Sequence, residues 1–213
     1  MRRRDALLAT ALGLALAGCA GLRAPPAHRY FVLEAARSRI AAGMLQRDST
    51  LLVAPTTAAS FYDTQEIVYS RRPGERAYYQ LSSWTEPPNR RLASLLTDRI
   101  ALGGAFRGVA EITSGVRGEL LLRTHLDEIY HDAVSPPGSA RVTLTAELSD
   151  PAGRNLVARR SFSASLPVSS YDAAGAVRGS GQVLGELLDE IAVWVAEAAT
   201  AQVRQVPTMA GHD

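Results

Sequence analysis

Few side chains in this sequence have the type and spacing to do chemistry. His125, Asp127 and His131 would fall on one side of an extended segment if its alternation persists. Two imidazoles and a carboxylate form a nitrogen and oxygen ligand set that a divalent metal accepts. The spacing is loose, however, and no neighbour is placed to orient the imidazoles, so polar positions exposed on a sheet edge account for the three without a metal. Gly179-Ser180-Gly181-Gln182-Val183-Leu184-Gly185 precedes a helical pattern, as a phosphate-cradling loop would. It lacks the Lys-Ser/Thr pair and a preceding buried strand, and reads as a flexible lead-in. Ser180 is outside any Gly-x-Ser-x-Gly elbow, and neither Ser169-Ser170 nor another serine sits in a triad signature. The acid pair Asp127-Glu128 is expected to point to opposite faces of a strand, and Asp189-Glu190 to lie on the solvent face of a helix. No catalytic residue, metal site or cofactor is expected.

One thiol remains. Cys19 is the sole cysteine; it follows Leu16-Ala17-Gly18, and the whole N-terminus has the parts of a secretory leader. Arg2, Arg3 and Arg4 form the basic start, and Ala6 to Ala17 supplies a short apolar run. Those twelve residues are too few to span a bilayer as a helix, which takes roughly 20. Leu16 to Cys19 resembles the bacterial lipobox. The resemblance implies that the leader (1–18) is cut, the Cys19 thiol is diacylglycerylated and the new amine is acylated. Two chains already anchor stably at about 0.8 kcal/mol per buried methylene, so three make dissociation negligible. Ala20, where an Asp would signal retention, implies release to the outer membrane.

Cutting after residue 18 would leave 195 of the 213 residues, enough for one domain with a substantial core. It would also remove three Arg and Asp5, leaving twenty basic against twenty acidic residues. A formally neutral chain without a basic run offers no footprint for nucleic acid and no polybasic segment for anionic lipid. Every basic residue is Arg and none is Lys, which reads as genomic bias. With Cys19 acylated there is no thiol for a disulfide or a zinc thiolate, and stability must come from packing.

The elements follow from local pattern. Residues 19–28 carry Pro25-Pro26 and suit a lipidated, semi-rigid tether. Tyr30 to Glu34 and Thr50 to Pro55 read as short strands; Glu66 to Ser70 and Ala77 to Ser83 flank a Pro-Gly turn and read as a hairpin, with Trp84 at its exit. Pro87-Pro88 starts a helix with Leu92, Leu96 and Ile100 on one face, ended by Gly103-Gly104. Glu119 to Tyr130 is a long strand. Val142, Leu144, Ala146 and Leu148 alternate with polar residues, and Leu156, Ala158, Phe162, Ala164 and Leu166 keep the same period beyond the turn at Asp150 to Gly153, which gives a second antiparallel hairpin. From about Gln182 to Arg204 a helix carries Leu184, Leu187, Leu188, Ile191, Trp194 and Val195 on one face, with Glu186, Asp189, Glu190 and Glu197 on the other. The expected fold is a single α+β domain over residues 29–204, a mainly antiparallel or mixed sheet with helices packed on one face, followed by a flexible tail at 205–213.

With these elements placed, the mature chain resembles the auxiliary lipoproteins of ABC-type transport, the paraquat-inducible lipoprotein C kind that accompanies MCE-domain lipid transporters. The resemblance is carried by Tyr30-Phe31-Val32-Leu33, Leu52-Val53-Ala54-Pro55, Phe61-Tyr62-Asp63 and Gln65-Glu66-Ile67-Val68-Tyr69. Trp84 before Pro87-Pro88 and the Leu-rich helix completes it. It implies a non-enzymatic outer-membrane lipoprotein that docks to an MCE-domain periplasmic protein, and through it serves an ABC transporter in moving lipid between membranes. Tyr62, Asp63 and Trp84 are then either a structural corner or a partner contact, and self-association is left open. A lipopolysaccharide-assembly or secretin-pilot lipoprotein bound to an outer-membrane partner is the alternative with the same sequence traits.

Overall fold

The computed structural model describes residues 26–40 and 46–205. Cys19, the leader, most of the tether and residues 206–213 lie outside the described residues. The elements in chain order are β1 (Arg29–Phe31), β2 (Arg47–Val53), β3 (Thr57–Ala58), β4 (Glu66–Ser70), β5 (Ala77–Trp84), α1 (Pro88–Gly103) and β6 (Phe106–Glu111). After a 3₁₀ turn at Ile112–Ser114 come β7 (Leu120–Asp132), β8 (Ser139–Ser149), β9 (Leu156–Pro167) and α2 (Ala173–Gln205). The α+β class and the mixed sheet with helices over it agree with the sequence expectation.

β7 is the spine of the sheet. One of its edges pairs antiparallel with β8 over the whole strand, and β8 pairs likewise with β9. The other edge receives three strands in succession, all parallel: β2 at Leu120 to Leu122, β3 at His125 and Leu126, and β4 at His131 and Asp132. Beyond β4 lie β5, antiparallel, and β1, parallel; beyond β2 lies β6, parallel. The sheet therefore ends in β1, β6 and β9 and does not close into a barrel.

The core is the layer between sheet and helices. Val142, Leu144, Ala146 and Leu148 are fully buried, as their alternation predicts. They face α2, whose Leu184, Leu188, Ile191 and Val195 are also fully buried, and Phe162 meets Trp194 edge to face at 5.5 Å. In α1 the Leu92, Leu96, Ile100 stripe is buried. Pro occupies the start of α1, where its missing N–H costs nothing, and Gly104 closes it at φ 70°.

Several elements differ from the sequence reading. α2 begins at Ala173, about nine residues earlier than the pattern suggests, so the Gly179 to Gly185 stretch lies inside the helix and is no lead-in loop. Asp172 starts it, its carboxylate accepting the Gly175 N–H at 2.7 Å. Glycines inside a helix cost about 1 kcal/mol each against alanine. Here they let chain approach: a Cβ at Gly181 would sit 2.6 Å from the Glu34 carbonyl oxygen, and one at Gly185 2.7 Å from the Ala36 Cβ. The Ala36 N–H donates to the Gly181 carbonyl at 2.8 Å, so the segment after β1 lies directly on α2. β6 carries no clean alternation and was not expected; pairing with β2 makes it a strand. Leu156 belongs to the buried set by period yet is 61% exposed, because the β8–β9 register shifts beside Ser149 at the start of β9. Finally, β7 bulges between Leu126 and Glu128, which breaks the alternation assumed for its polar residues.

Candidate partner interface

The chain after β3 folds back at once. Ala59 donates its N–H to the Leu126 carbonyl of β7, and its own carbonyl accepts the N–H groups of Tyr62 (2.8 Å) and Asp63 (3.2 Å). This tight turn points Tyr62 inward and Phe61 outward: Tyr62 is buried, whereas Phe61 is 39% exposed. Phe61 stacks on Tyr78 of β5 with centroids 4.9 Å apart and planes 13° apart, and Tyr78 is itself 38% exposed. The Tyr78 hydroxyl donates to the Phe61 carbonyl at 3.3 Å, fixing the pair.

Beneath this pair sits a closed polar cluster. Arg76 donates from Nε to the Tyr62 hydroxyl oxygen and from a terminal nitrogen to Glu128 Oε1, both at 3.1 Å. Its guanidinium also lies over the Tyr130 ring, 3.7 Å from the centroid. Burial pushes the Tyr62 hydroxyl up and the nearby Glu128 charge adds to it, outweighing the Arg76 hydrogen bond, so Tyr62 stays protonated. Trp84 is buried at the exit of β5, where its backbone N–H donates to the Gln65 carbonyl at 2.7 Å. Asp63 accepts from Asn89 Nδ2 at 3.2 Å at the start of α1. Tyr62, Asp63 and Trp84 thus meet at one corner, between the turn, the end of β5 and α1. Tyr62 and Trp84 are buried, while Asp63, Phe61 and Tyr78 are exposed there.

Sequence reasoning missed Arg76, Glu128 and Tyr130. Arg76 sits at the foot of the β4–β5 turn and Glu128 just after the β7 bulge, and no spacing links positions 52 residues apart. Their only signal was the acid pair 127–128, and the bulge changes its meaning. Asp127 accepts from the Thr145 hydroxyl at 2.8 Å and Glu128 takes Arg76, so both acids are engaged in the fold and are not simply opposed solvated groups.

His125, Asp127 and His131, read from the sequence as exposed polar positions on a sheet edge, are each engaged separately. His125 Nδ1 meets the Thr57 hydroxyl at 2.8 Å, Asp127 holds Thr145, and His131 is buried between the Tyr79 hydroxyl and the Pro137 carbonyl, each at 2.8 Å. β7 is also the centre of the sheet and no edge. The Pro137 carbonyl only accepts, so His131 carries a proton on Nε2, leaving Nδ1 to accept from Tyr79. Burial pushes the Tyr79 hydroxyl up to about 12, which keeps it a donor. Among the described residues no group of three or more His, Cys, Asp or Glu side chains could hold a metal ion.

Asp189, expected on a solvent face, faces Arg99 of α1 instead, and both side chains are largely buried. It also accepts from the Ser38 hydroxyl and the Arg39 N–H, each at 2.8 Å, while Arg99 donates to the carbonyls of Gly185 (3.0 Å) and Ala36 (2.5 Å). Burial pushes the Asp189 carboxyl up, but the Arg39 N–H, the Arg99 guanidinium and the Ser38 hydroxyl outweigh it and hold it below the usual carboxylate range. Glu190 does face outward and pairs with Arg160.

With this geometry in place, the sequence matches the family model of the ABC-type transport auxiliary lipoprotein component over residues 31–192. The chain belongs to that family. The match begins at the last residue of β1 and ends in α2, so it takes in the corner, the Arg99–Asp189 joint and every strand from β2 to β9. Membership makes this auxiliary component a transport-associated lipoprotein of the cell envelope. A Xanthomonas campestris protein of the DUF330 family has a similar structure, with TM-score 0.74 and 22% identity, covering 83% of this chain and 99% of that one. A second, uncharacterized protein gives TM-score 0.59 at 14% identity over 82% and 99% of the two chains. At these identities the likeness is one of fold. No curated protein matches the sequence. Among the described residues no helix of this auxiliary lipoprotein is long and apolar enough to cross a membrane.

Proposed function

We propose that this protein is a non-enzymatic docking component, held to the outer membrane by acyl chains on Cys19, that binds an MCE-domain periplasmic protein and assists lipid movement between membranes. An ABC system spends its ATP at the inner membrane, so a component at the far membrane needs a binding surface and no nucleotide site. The observation that carries the reading is the corner itself. Its family-motif residues Tyr62 and Trp84 are buried and hold the shape, while the stacked Phe61–Tyr78 pair is turned outward. Exposed aromatics on a rigid support are the residue type that anchors protein interfaces.

The test is a photo-crosslinking amino acid at Phe61 or Tyr78 of the tagged, full-length protein in its own cells, with the captured partner identified by mass spectrometry. An MCE-domain protein is the expected product. Repeated capture of an outer-membrane barrel or secretin would put the assembly or pilot reading in its place, and hydrolytic activity lost on changing a single Ser or Asp would defeat both. The anchor is tested separately: Cys19→Ser should abolish acyl labelling, and processed protein that stays in the membrane without label would refute it.

A further inference from the structure

The sequence has no basic run, but the fold builds a basic patch. At the N-terminal end of α2, Arg71 lies over the rings of Tyr69 (5.1 Å) and Tyr171 (5.9 Å), and Arg178 reaches the hydroxyls of Ser169 and Ser170. The Asp172 carboxyl there is held below its usual range, first by the Gly175 N–H and the Ser170 hydroxyl, then by the charges of Arg178 and Arg29. Arg29, Arg71 and Arg178 therefore converge from β1, from the end of β4 and from α2. All three are exposed, and among the described residues none of them makes an ion pair with a carboxylate. The acids at this end are engaged or outnumbered: Asp172 caps α2, Glu75 pairs with Arg72, and Glu34 lines the shallow groove beside Arg178. Flanking the arginines are Tyr30, 66% exposed, and Tyr171, 41% exposed.

We propose that this arginine and tyrosine face rests on the phosphate headgroups of an anionic bilayer. Guanidinium groups bind phosphate through charge-assisted hydrogen bonds, and tyrosines favour the headgroup boundary, where the ring is half sheltered and the hydroxyl wet. The position fits. The described chain starts at Pro26, three residues before Arg29, and the seven residues back to Cys19 extend at most about 25 Å. A lipid on Cys19 would therefore hold this end, and not the β6 edge at the far side of the strand order, nearest the bilayer. The face would fix the domain's orientation and turn the opposite side toward the periplasm. The proposal adds to the reading of Cys19 as an anchor, yet its test does not depend on that anchor.

The experiment uses the chain from residue 19 onward carrying Cys19→Ser, without the basic and apolar leader, and measures its partition onto sedimented vesicles of phosphatidylcholine, with and without about a third phosphatidylglycerol. One triple variant removes the patch (Arg29→Ala, Arg71→Ala, Arg178→Ala). A second removes the same charge elsewhere (Arg107→Ala, Arg117→Ala, Arg154→Ala). Each arginine near an anionic surface contributes about fivefold, so the patch variant should lose on the order of a hundredfold in partition onto the anionic vesicles. The control should stay within about twofold, and the difference should fade as salt shortens the screening length. Circular dichroism melts establish that both variants fold. Equal losses in the two variants, or no loss in either, would overturn the proposal whatever the outcome of acyl labelling.

Discussion

Two regions of this molecule are built on opposite plans. The β7–β8–β9 ribbon with α2 over it is contiguous in sequence, paired by simple antiparallel turns, and held by apolar burial: Val142, Leu144, Leu148, Phe162 and Ile191 are almost wholly removed from water. The corner of Tyr62 and Trp84 is assembled from the turn after β3, the ends of β4 and β5, the start of α1 and the middle of β7. It is closed by polar contacts around Arg76. The difference teaches where a partner surface can sit. Along its paired length, a strand pair whose apolar side is covered by α2 shows mainly polar side chains, such as Thr143 and Ser163, which bond to each other at 3.1 Å. A corner fixed by hydrogen bonds and cation–π contact keeps its shape while leaving two aromatic rings outside.

The largest expected effect lies at the joint between the regions, where Arg99 of α1 meets Asp189 of α2. Removing one partner of a largely buried, hydrogen-bonded pair leaves the other charge stranded, so Arg99→Ala or Asp189→Ala should each cost about 3–5 kcal/mol in urea unfolding followed by tryptophan fluorescence. Replacing both with apolar residues of similar volume should cost less than either alone. Because the folded Asp189 carboxyl lies below its ordinary value, the stabilisation it brings is present above the unfolded carboxylate range, about pH 4, and fades as pH falls through the lower folded value. In the Asp189→Ala variant the acid limb of the stability profile should flatten; an unchanged limb would mean the pair is solvated.

Next comes the ribbon. Ile191→Ala should cost about 2–5 kcal/mol, since the side chain is fully buried against the sheet. A change within scatter would show α2 to be loosely seated, and would erase the contrast drawn above.

How much could be read in advance follows the same division. The ribbon was legible because its signals are local. Period two in 142–148 and 3.6 in 184–195 depend only on neighbours in sequence, and burial follows. The β4–β5 hairpin and α1 were legible for the same reason, through Pro73-Gly74, Pro88 and Leu92-Leu96-Ile100. What the sequence hid is set by distant partners. β6 is a strand because β2 lies beside it; Asp189 turns inward because Arg99 is there to meet it; the glycines of α2 stay helical because the chain at Glu34 to Ala36 needs the room. At the site, Tyr62, Asp63 and Trp84 carried a sequence signal. Arg76, Glu128 and Tyr130 did not, because the β7 bulge and the parallel pairing of β4 with β7 create that contact and neither has a local signature.

Within the corner, Tyr62→Phe keeps the ring and removes the oxygen that accepts from Arg76. A hydrogen bond to a charged group is worth about 1.5–3 kcal/mol, so this variant should fall between the ribbon and the surface changes, as read by the urea midpoint at unchanged slope. If the cost were as small as that of an exposed tyrosine, the polar cluster would not be what holds the corner.

The smallest stability effect and the sharpest separation of the two plans come from the outward pair. Phe61→Ala with Tyr78→Ala removes two rings that are each more than a third exposed and whose stacking is worth about 0.5–1.5 kcal/mol beyond burial. The double variant should therefore remain folded and acylated while losing capture of its partner. A matched change on the ribbon, Thr143→Ala with Ser163→Ala, removes an exposed side-chain hydrogen bond, should shift stability by no more than about 0.5 kcal/mol, and should leave capture intact. Scored together by the yield of partner in a pull-down through the tag and by urea midpoint, the two double variants separate recognition from folding. If the ribbon variant lost the partner and the corner variant kept it, the polar strand face and not the aromatic pair would be the docking surface, because the two changes are alike in leaving the buried layer under α2 untouched.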